Sequence, residues 1–146
     1  MMISITMPTV NEQRLILLKE GAEQGCNALR QNLNAPHFGP IEGFEPSAWG
    51  ERHLLTEAEG WEAPAAELVS AWFEQFQQAF PEYATENALA KLLGLNGKQA
   101  GRRVRAYKIG EESVPYGVWR RFLIMTGRAS QEIIPVLGIF DMIPEA

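Results

Sequence analysis

Glycines at Gly94, Gly110 and Gly127 divide the second half of the chain into segments that suit only short helices. Glycine enters the left-handed conformation that ends a helix without a steric penalty, so each of these positions reads as a stop. Thr85 offers an N-cap hydroxyl for a helix running to Leu93. The next helix is expected from about Lys98 to Ile109. A loop over Glu111–Val114 then leads to Pro115, a favoured first helical residue, and to a helix from Tyr116 to Thr126. Ser130 can cap a last helix to Leu137, with Pro135 confining or kinking it. Short helices in quick succession predict a compact bundle.

Charge divides the chain as sharply. The formal net charge of −5 argues against a nucleic-acid binder when it is taken whole. Residues 1–85 carry four basic and twelve acidic side chains, whereas 86–146 carry nine basic and six acidic ones. Between Lys91 and Lys108 there are six basic residues and no acidic one. Such asymmetry predicts two surfaces with different partners.

Within the basic half, the string Ala88-Leu-Ala-Lys-Leu-Leu-Gly-Leu95 resembles the first half of a helix-turn-helix of the phage repressor (Cro-like, XRE) family. Val104-Arg-Ala-Tyr-Lys-Ile-Gly110 is similar to the end of that family's recognition helix: a buried aliphatic, an aromatic three residues on, and a glycine three further. Pro115 and the run Trp119-Arg-Arg-Phe-Leu-Ile-Met-Thr-Gly127 look like its loop and following helix. The likeness leaves residues 1–80 unaccounted for. The eight residues between Leu95 and Val104 exceed the family's usual span. Either the turn is longer, or the reading helix starts a turn early.

The resemblance implies a regulator that reads double-stranded DNA. Independent chemistry agrees with it. On a helix from Lys98, Val104 and Tyr107 face the bundle, while Lys98, Gln99, Arg102, Arg103, Arg105 and Lys108 project outward. Arginine grips guanine bidentately, glutamine suits adenine, and lysine suits phosphate. Asn96 and Gly97 at the helix start can present backbone N–H groups to a phosphate. Arg120 and Arg121 either touch the DNA backbone or lie on an exposed face, and Arg128 suits the C-terminal dipole of its helix. The bland alternative is a solvated basic face.

The acidic half reads differently. Leu15, Leu18, Ala22, Cys26, Leu29 and Leu33 recur at steps of three and four, marking one face of a helix over Asn11–Leu33. Gly21 and Gly25 weaken that helix, bend it, or admit a close neighbour. Met1–Thr9 reads as a tail or short arm. Ala35–Pro64 is rich in proline and glycine, yet Phe38, Phe44, Trp49 and Trp61 predict an ordered, irregular segment pinned to a core, with a short helix after Thr56. Ala65–Phe80 is the clearest helix, with an apolar stripe over Leu68, Val69, Trp72, Phe73, Phe76, Ala79 and Phe80, ended by Pro81. The stripe suits a core, with a dimer seam as the alternative. At the other end, Ile133–Ile143 is strongly apolar and either closes the core or forms a dimer contact.

Other chemistries find little support. His37 and His53 stand 16 apart with no paired cysteine, which fits ordinary surface or half-buried histidines better than a zinc site. Cys26, the single cysteine, is expected to be a small core residue, and one cysteine cannot form an intramolecular disulfide. Glu57, Glu59 and Glu62 lack an accompanying nucleophile. Gly94, Gly97 and Gly101 lack the strand that a phosphate-binding loop needs. Neither catalysis nor a cofactor is expected. No stretch is apolar enough to span a membrane, and no basic start with an apolar run follows the first methionine, so a cytoplasmic setting is expected.

The resulting expectation is an all-α protein: an acidic helical extension over 1–84, containing the irregular segment, and a helix-turn-helix domain over 85–146. It would be a sequence-specific regulator of bacterial, phage or mobile-element origin, acting as a homodimer on double-stranded DNA. A protein-interaction module or inhibitor, of the anti-CRISPR kind, would instead work through a protein partner of the acidic half.

Overall fold

The computed structural model describes residues 6–144, and among these every regular element is helical. The chain forms two compact units, Pro40–Glu132 and a second built from Met1–Gly39 together with Ile133–Ala146. The compact units therefore do not divide at 84/85. The physical reason is the helix over Ala66–Ala79, whose apolar stripe is spent in the same core as the helices that follow it.

In the second unit, α1 (Val10–Asn32) is opened by a capping box. Thr9 Oγ1 accepts from the Glu12 N–H at 3.1 Å, and Glu12 Oε2 accepts from the Thr9 N–H at 3.1 Å. The helix runs without interruption past Gly21 and Gly25, although nothing among the described residues lies within 4 Å of where a Cβ would stand at either. Its expected apolar face is present but not buried. Leu15, Leu18 and Leu29 are exposed, Leu33 is 82% exposed, and Cys26 is exposed rather than a core residue. Asn11 is the buried residue of α1, and its Nδ2 donates to the Ile143 carbonyl at 3.1 Å. Arg14 donates to the Phe140 carbonyl at 3.2 Å. These bonds tie the C-terminal segment to the first turns of the helix. Of the opening tail, 1–5 lie outside the described residues.

No helix forms from Ser130 to Leu137; 130–141 has no regular secondary structure. The apolar residues there come in doublets, Ile133–Ile134, Val136–Leu137, Ile139–Phe140 and Met142–Ile143, separated by Pro135, Gly138 and Asp141. A three-residue period would wrap apolar side chains around every face of an α-helix, and Pro135 removes a helical donor.

In the unit Pro40–Glu132, α2 (Ala66–Ala79) ends at Phe80 (φ −124°, ψ 90°), because the following Pro81 pushes that residue out of the helical region. Three further helices follow: α3 (Glu86–Leu92), α4 (Ala100–Ile109) and α5 (Tyr116–Met125). Thr85 caps α3, its Oγ1 accepting from the Ala88 N–H at 3.1 Å, and Gly110 (φ 83°) ends α4 as expected. Pro115 sits one place earlier than expected, as the residue before α5.

The core joins Leu68, Val69, Trp72 and Phe73 of α2 to Leu89 and Ala90 of α3, Val104 and Tyr107 of α4, and Trp119, Phe122 and Leu123 of α5. Trp72 and Trp119 stack with centroids 5.8 Å apart, and Phe73 meets Phe122 edge-on at 4.8 Å. The irregular segment is a chain of short 3-10 turns over Pro46–Trp49, Arg52–Leu54 and Glu57–Glu59, the last capped by Thr56. Its aromatics divide: Phe44 and Trp61 pack on the core, whereas Trp49 is exposed. Phe38, which falls in the other unit, is exposed as well.

His53, expected at or near the surface, is buried. Its Nδ1 accepts from Trp119 Nε1–H at 3.2 Å, and its ring meets Trp72 and Trp119 edge-on. Burial holds its pKa below the ordinary 6.5, and Arg128 adds to that; a hydrogen bond with the Gly50 backbone and the charge of Glu51 oppose it. The imidazole is thus a neutral core group that ties the irregular segment to α5.

Candidate nucleic-acid interface

α4 is fixed by its inward face. Ala100, Gly101, Val104, Ala106 and Tyr107 are buried. Gly101 is required by close approach: a Cβ there would stand 2.2 Å from Asn87 Oδ1 on α3 and 3.0 Å from the Asn87 backbone nitrogen. Asn87 Oδ1 accepts from the Gly101 N–H at 3.1 Å, satisfying a donor in the first turn of α4. Neither Asn87 nor Gly101 belongs to the DNA-binding set expected from the sequence. The sequence signal was a glycine inside an expected helix, which here marks a helix–helix contact.

The connection from α3 to α4 accounts for the long spacing noted above. It occupies 93–99, with Gly94 (φ 83°) and Gly97 (φ 98°) in left-handed conformations and Leu95 inserted into the core. The turn is long, and the helix begins at Ala100, two residues later than expected. Asn96, Lys98 and Gln99 consequently lie in the turn or at the cap, all exposed.

Arg102, Arg103 and Arg105 are exposed on α4. Three residues separate Arg102 from Arg105, so they share one outward stripe, while Arg103 stands on the neighbouring one. Arg102 bonds only weakly to Gln99, with Nη1 3.4 Å from Oε1. Among the described residues, the ion pairs are Arg52–Glu62, Lys108–Glu86 and Arg120–Glu132. Lys98, Arg102, Arg103 and Arg105 take part in none of them.

The remaining expected residues are drawn into the fold. Lys108 does not project outward: its Nζ donates to Gln77 Oε1 at 2.7 Å and Glu86 Oε1 at 2.9 Å, joining α2, α3 and α4. Its side chain is 12% exposed, so reaching a phosphate would strip the Glu86 carboxylate of its cation and Gln77 Oε1 of its donor, leaving only the bond from Gln77 Nε2 to Glu86 between them. Arg120 donates to the Leu54 carbonyl at 3.2 Å, and its Nε lies 3.0 Å from Glu132 Oε1. That approach is an ion pair without hydrogen-bond alignment, since the Nε–H has no partner. Arg120 thus holds the irregular segment to α5. Arg121 is exposed, and its Nε caps the end of α3 through the Leu92 carbonyl at 2.8 Å. Arg128 lies 4.0 Å over the Trp72 ring and bonds Gln75, so it packs on the core rather than serving a helix end.

The basic residues thus form two sets. Lys98, Arg102, Arg103, Arg105 and, at the margin, Arg121 are available to an anion; Lys108, Arg120 and Arg128 are structural. No group of histidine, cysteine, aspartate and glutamate side chains able to hold a metal occurs among the described residues, and none of their helices is long and apolar enough to cross a membrane. Comparison with protein-family models, curated proteins and solved structures gives no match. The likeness to phage repressors therefore rests on the quoted residues alone.

Proposed function

We propose that the unit Pro40–Glu132 binds double-stranded DNA and that the chain is a sequence-specific regulator of bacterial, phage or mobile-element origin. The observation that carries this reading is an unneutralised basic stripe on a helix held rigidly from behind. Lys98, Arg102, Arg103 and Arg105 surround the exposed side of α4, while Val104 and Tyr107 anchor the other. A helix presented in this way suits the major groove, with Arg102 and Arg105 toward base edges and Lys98 and Arg121 toward phosphates. Asn96 and Gln99 flank the helix start. A regulator of this kind acts as a homodimer on paired half-sites.

The test is selection from a randomised duplex library, followed by binding titrations of the enriched sequence at several salt concentrations. Affinity should fall steeply with salt. Arg102→Ala should reduce discrimination between sequences by about tenfold or more, as expected for one base contact. Lys98→Ala should weaken binding to all sequences alike. Lys108→Ala should act through stability instead. Enrichment of nothing at low salt, with capture of a basic protein by the full chain, would favour the interaction-module reading.

A further inference from the structure

The exposed face of α1 has an order that the DNA-binding reading does not use. At 3.6 residues per turn, Leu15, Leu18, Ala22, Cys26, Leu29 and Leu33 fall within an arc of about 80°. One flank of this arc carries Glu12, Lys19, Glu23 and Arg30; the other carries Gly21, Gly25 and Ala28, with Arg14 at its start already bonded to the Phe140 carbonyl. From Leu15 onward the face is open to solvent, whereas the C-terminal segment is bonded to Asn11 and Arg14 at its start. Among the described residues Lys19, Glu23 and Arg30 form no ion pair.

We propose that α1 pairs antiparallel with α1 of a second copy, about a two-fold axis passing near Gly21 and Ala22. Charge order selects this occupant. Along the flank the signs run minus, plus, minus, plus, and reversal about that axis sets Glu12 against Arg30 and Lys19 against Glu23 of the second copy. The same axis sets Leu15 against Leu29, Leu18 against Cys26, and Ala22 against itself. The charged and apolar registers differ by one residue in their centre, a rise of about 1.5 Å that side chains span.

Orientation follows from the flanks. In an antiparallel pair like flanks meet, so charges face charges and glycines face glycines. In a parallel pair the charged flank would face Gly21, Gly25 and Ala28, with Arg14 at one end as its sole counter-charge. Two glycines inside an exposed helix each cost about 1 kcal/mol relative to alanine. Among the described residues nothing lies within 4 Å of a Cβ built at either of them. A second backbone crossing there gives them a use, and the contact is self-complementary, as a two-fold interface must be.

This pairing does not depend on DNA binding, since α4 takes no part in it. It is tested on the full chain by sedimentation velocity from about 1 to 100 μM, a range that would reveal even a weak dimer. A dimer is expected. Lys19→Glu should weaken it about tenfold, by turning two attractive pairs into repulsive ones, and Lys19→Glu with Glu23→Lys should restore it. Circular dichroism on each variant separates loss of pairing from loss of helix. Cross-linking fixes the orientation. Ala22→Cys in a Cys26→Ser background should form a disulfide-linked dimer on mild oxidation. Native Cys26 should not, because its two copies would lie roughly 13 Å apart along the axis at 1.5 Å per residue. A monomer throughout, a charge swap without rescue, or ready cross-linking through Cys26 would each overturn the proposal.

Discussion

The two compact units treat apolar side chains in opposite ways. In Pro40–Glu132 a large set is enclosed, with Leu68, Phe73, Leu89, Val104, Trp119, Phe122 and Leu123 showing no exposed surface, while Trp49, Leu54, Ile109 and Met125 lie outside that core. In the unit built from α1 and the C-terminal segment, Leu17, Leu33, Ile134, Leu137 and Phe140 lie open, and the buried residue of α1 is the polar Asn11. Apolar content alone does not make a core. Burial requires elements that can close on one another, and a lone helix with an irregular segment offers no second regular layer. The first unit encloses a core of its own, whereas the second leaves many large apolar side chains of α1 and the C-terminal segment exposed.

The sharpest way to break this contrast is to truncate one large apolar side chain to alanine in each unit. Trp119→Ala removes a ring that stacks on Trp72, touches Phe73 and Phe122, and donates to His53. It should cost about 3–5 kcal/mol in urea unfolding. Leu17→Ala in α1 should change the same measurement by less than about 0.5 kcal/mol. Comparable losses would mean that the faces of α1 are covered within a single chain.

Gly101 tests the packing behind the basic stripe. Gly101→Ala places a methyl against Asn87, with one contact at 2.2 Å and another to its backbone, so α3 and α4 must move apart. A loss of about 1–3 kcal/mol is expected. Asn87→Ala removes the side-chain part of the clash and leaves the backbone part, so the double variant should recover some of the loss but not all. DNA affinity should fall with the Gly101 variant more than stability alone explains, because α4 carries the stripe.

What could be read from the sequence follows the same physics. Helix ends were legible wherever a local signal decided them: Thr85 as a cap, Gly110 as a stop, Pro81 as a breaker. The all-α class followed from periodicity. Local reading failed where tertiary contact decided. Lys108 lies in a basic run, yet it turns inward because Gln77 and Glu86, distant in sequence, meet at its position. His53 is buried by Trp72 and Trp119, which no spacing rule connects to it. Cys26 shares a true apolar stripe, but periodicity shows only that a face exists, not what covers it. The doublets after Glu132 defeat a helical reading because their period is three.

His53 makes the contrast depend on pH. Its pKa is lowered from 6.5 in the folded state, so below 6.5 the unfolded chain takes up a proton that the folded chain resists. Its contribution is fully present above about 6.5 and is lost as pH falls toward the lowered value, by up to about 1.4 kcal/mol per pH unit for one such group. Urea midpoints should therefore drop between pH 7.5 and 5.5. That window lies above the range in which Glu59, whose pKa is lowered from 4.5 by bonds to Thr56, begins to titrate. His53→Gln should be less stable at neutral pH and flatter across the window. An equal slope in that variant would assign the effect to another group.

The smallest expected effect bears most directly on the open unit. Leu137 is 96% exposed, near the middle of the apolar doublets. Burying a leucine contributes about 1.5–3 kcal/mol, and leaving it in water contributes almost none. Leu137→Ser should therefore shift the unfolding midpoint of dilute protein by less than about 0.5 kcal/mol. Measured at rising protein concentration, the same variant separates two kinds of openness. If wild type and variant stay alike, the C-terminal segment is solvated at every concentration. If the wild type gains stability with concentration and the variant gains less, the segment is covered by association, and the exposed unit owes its apolar sequence to the assembled state.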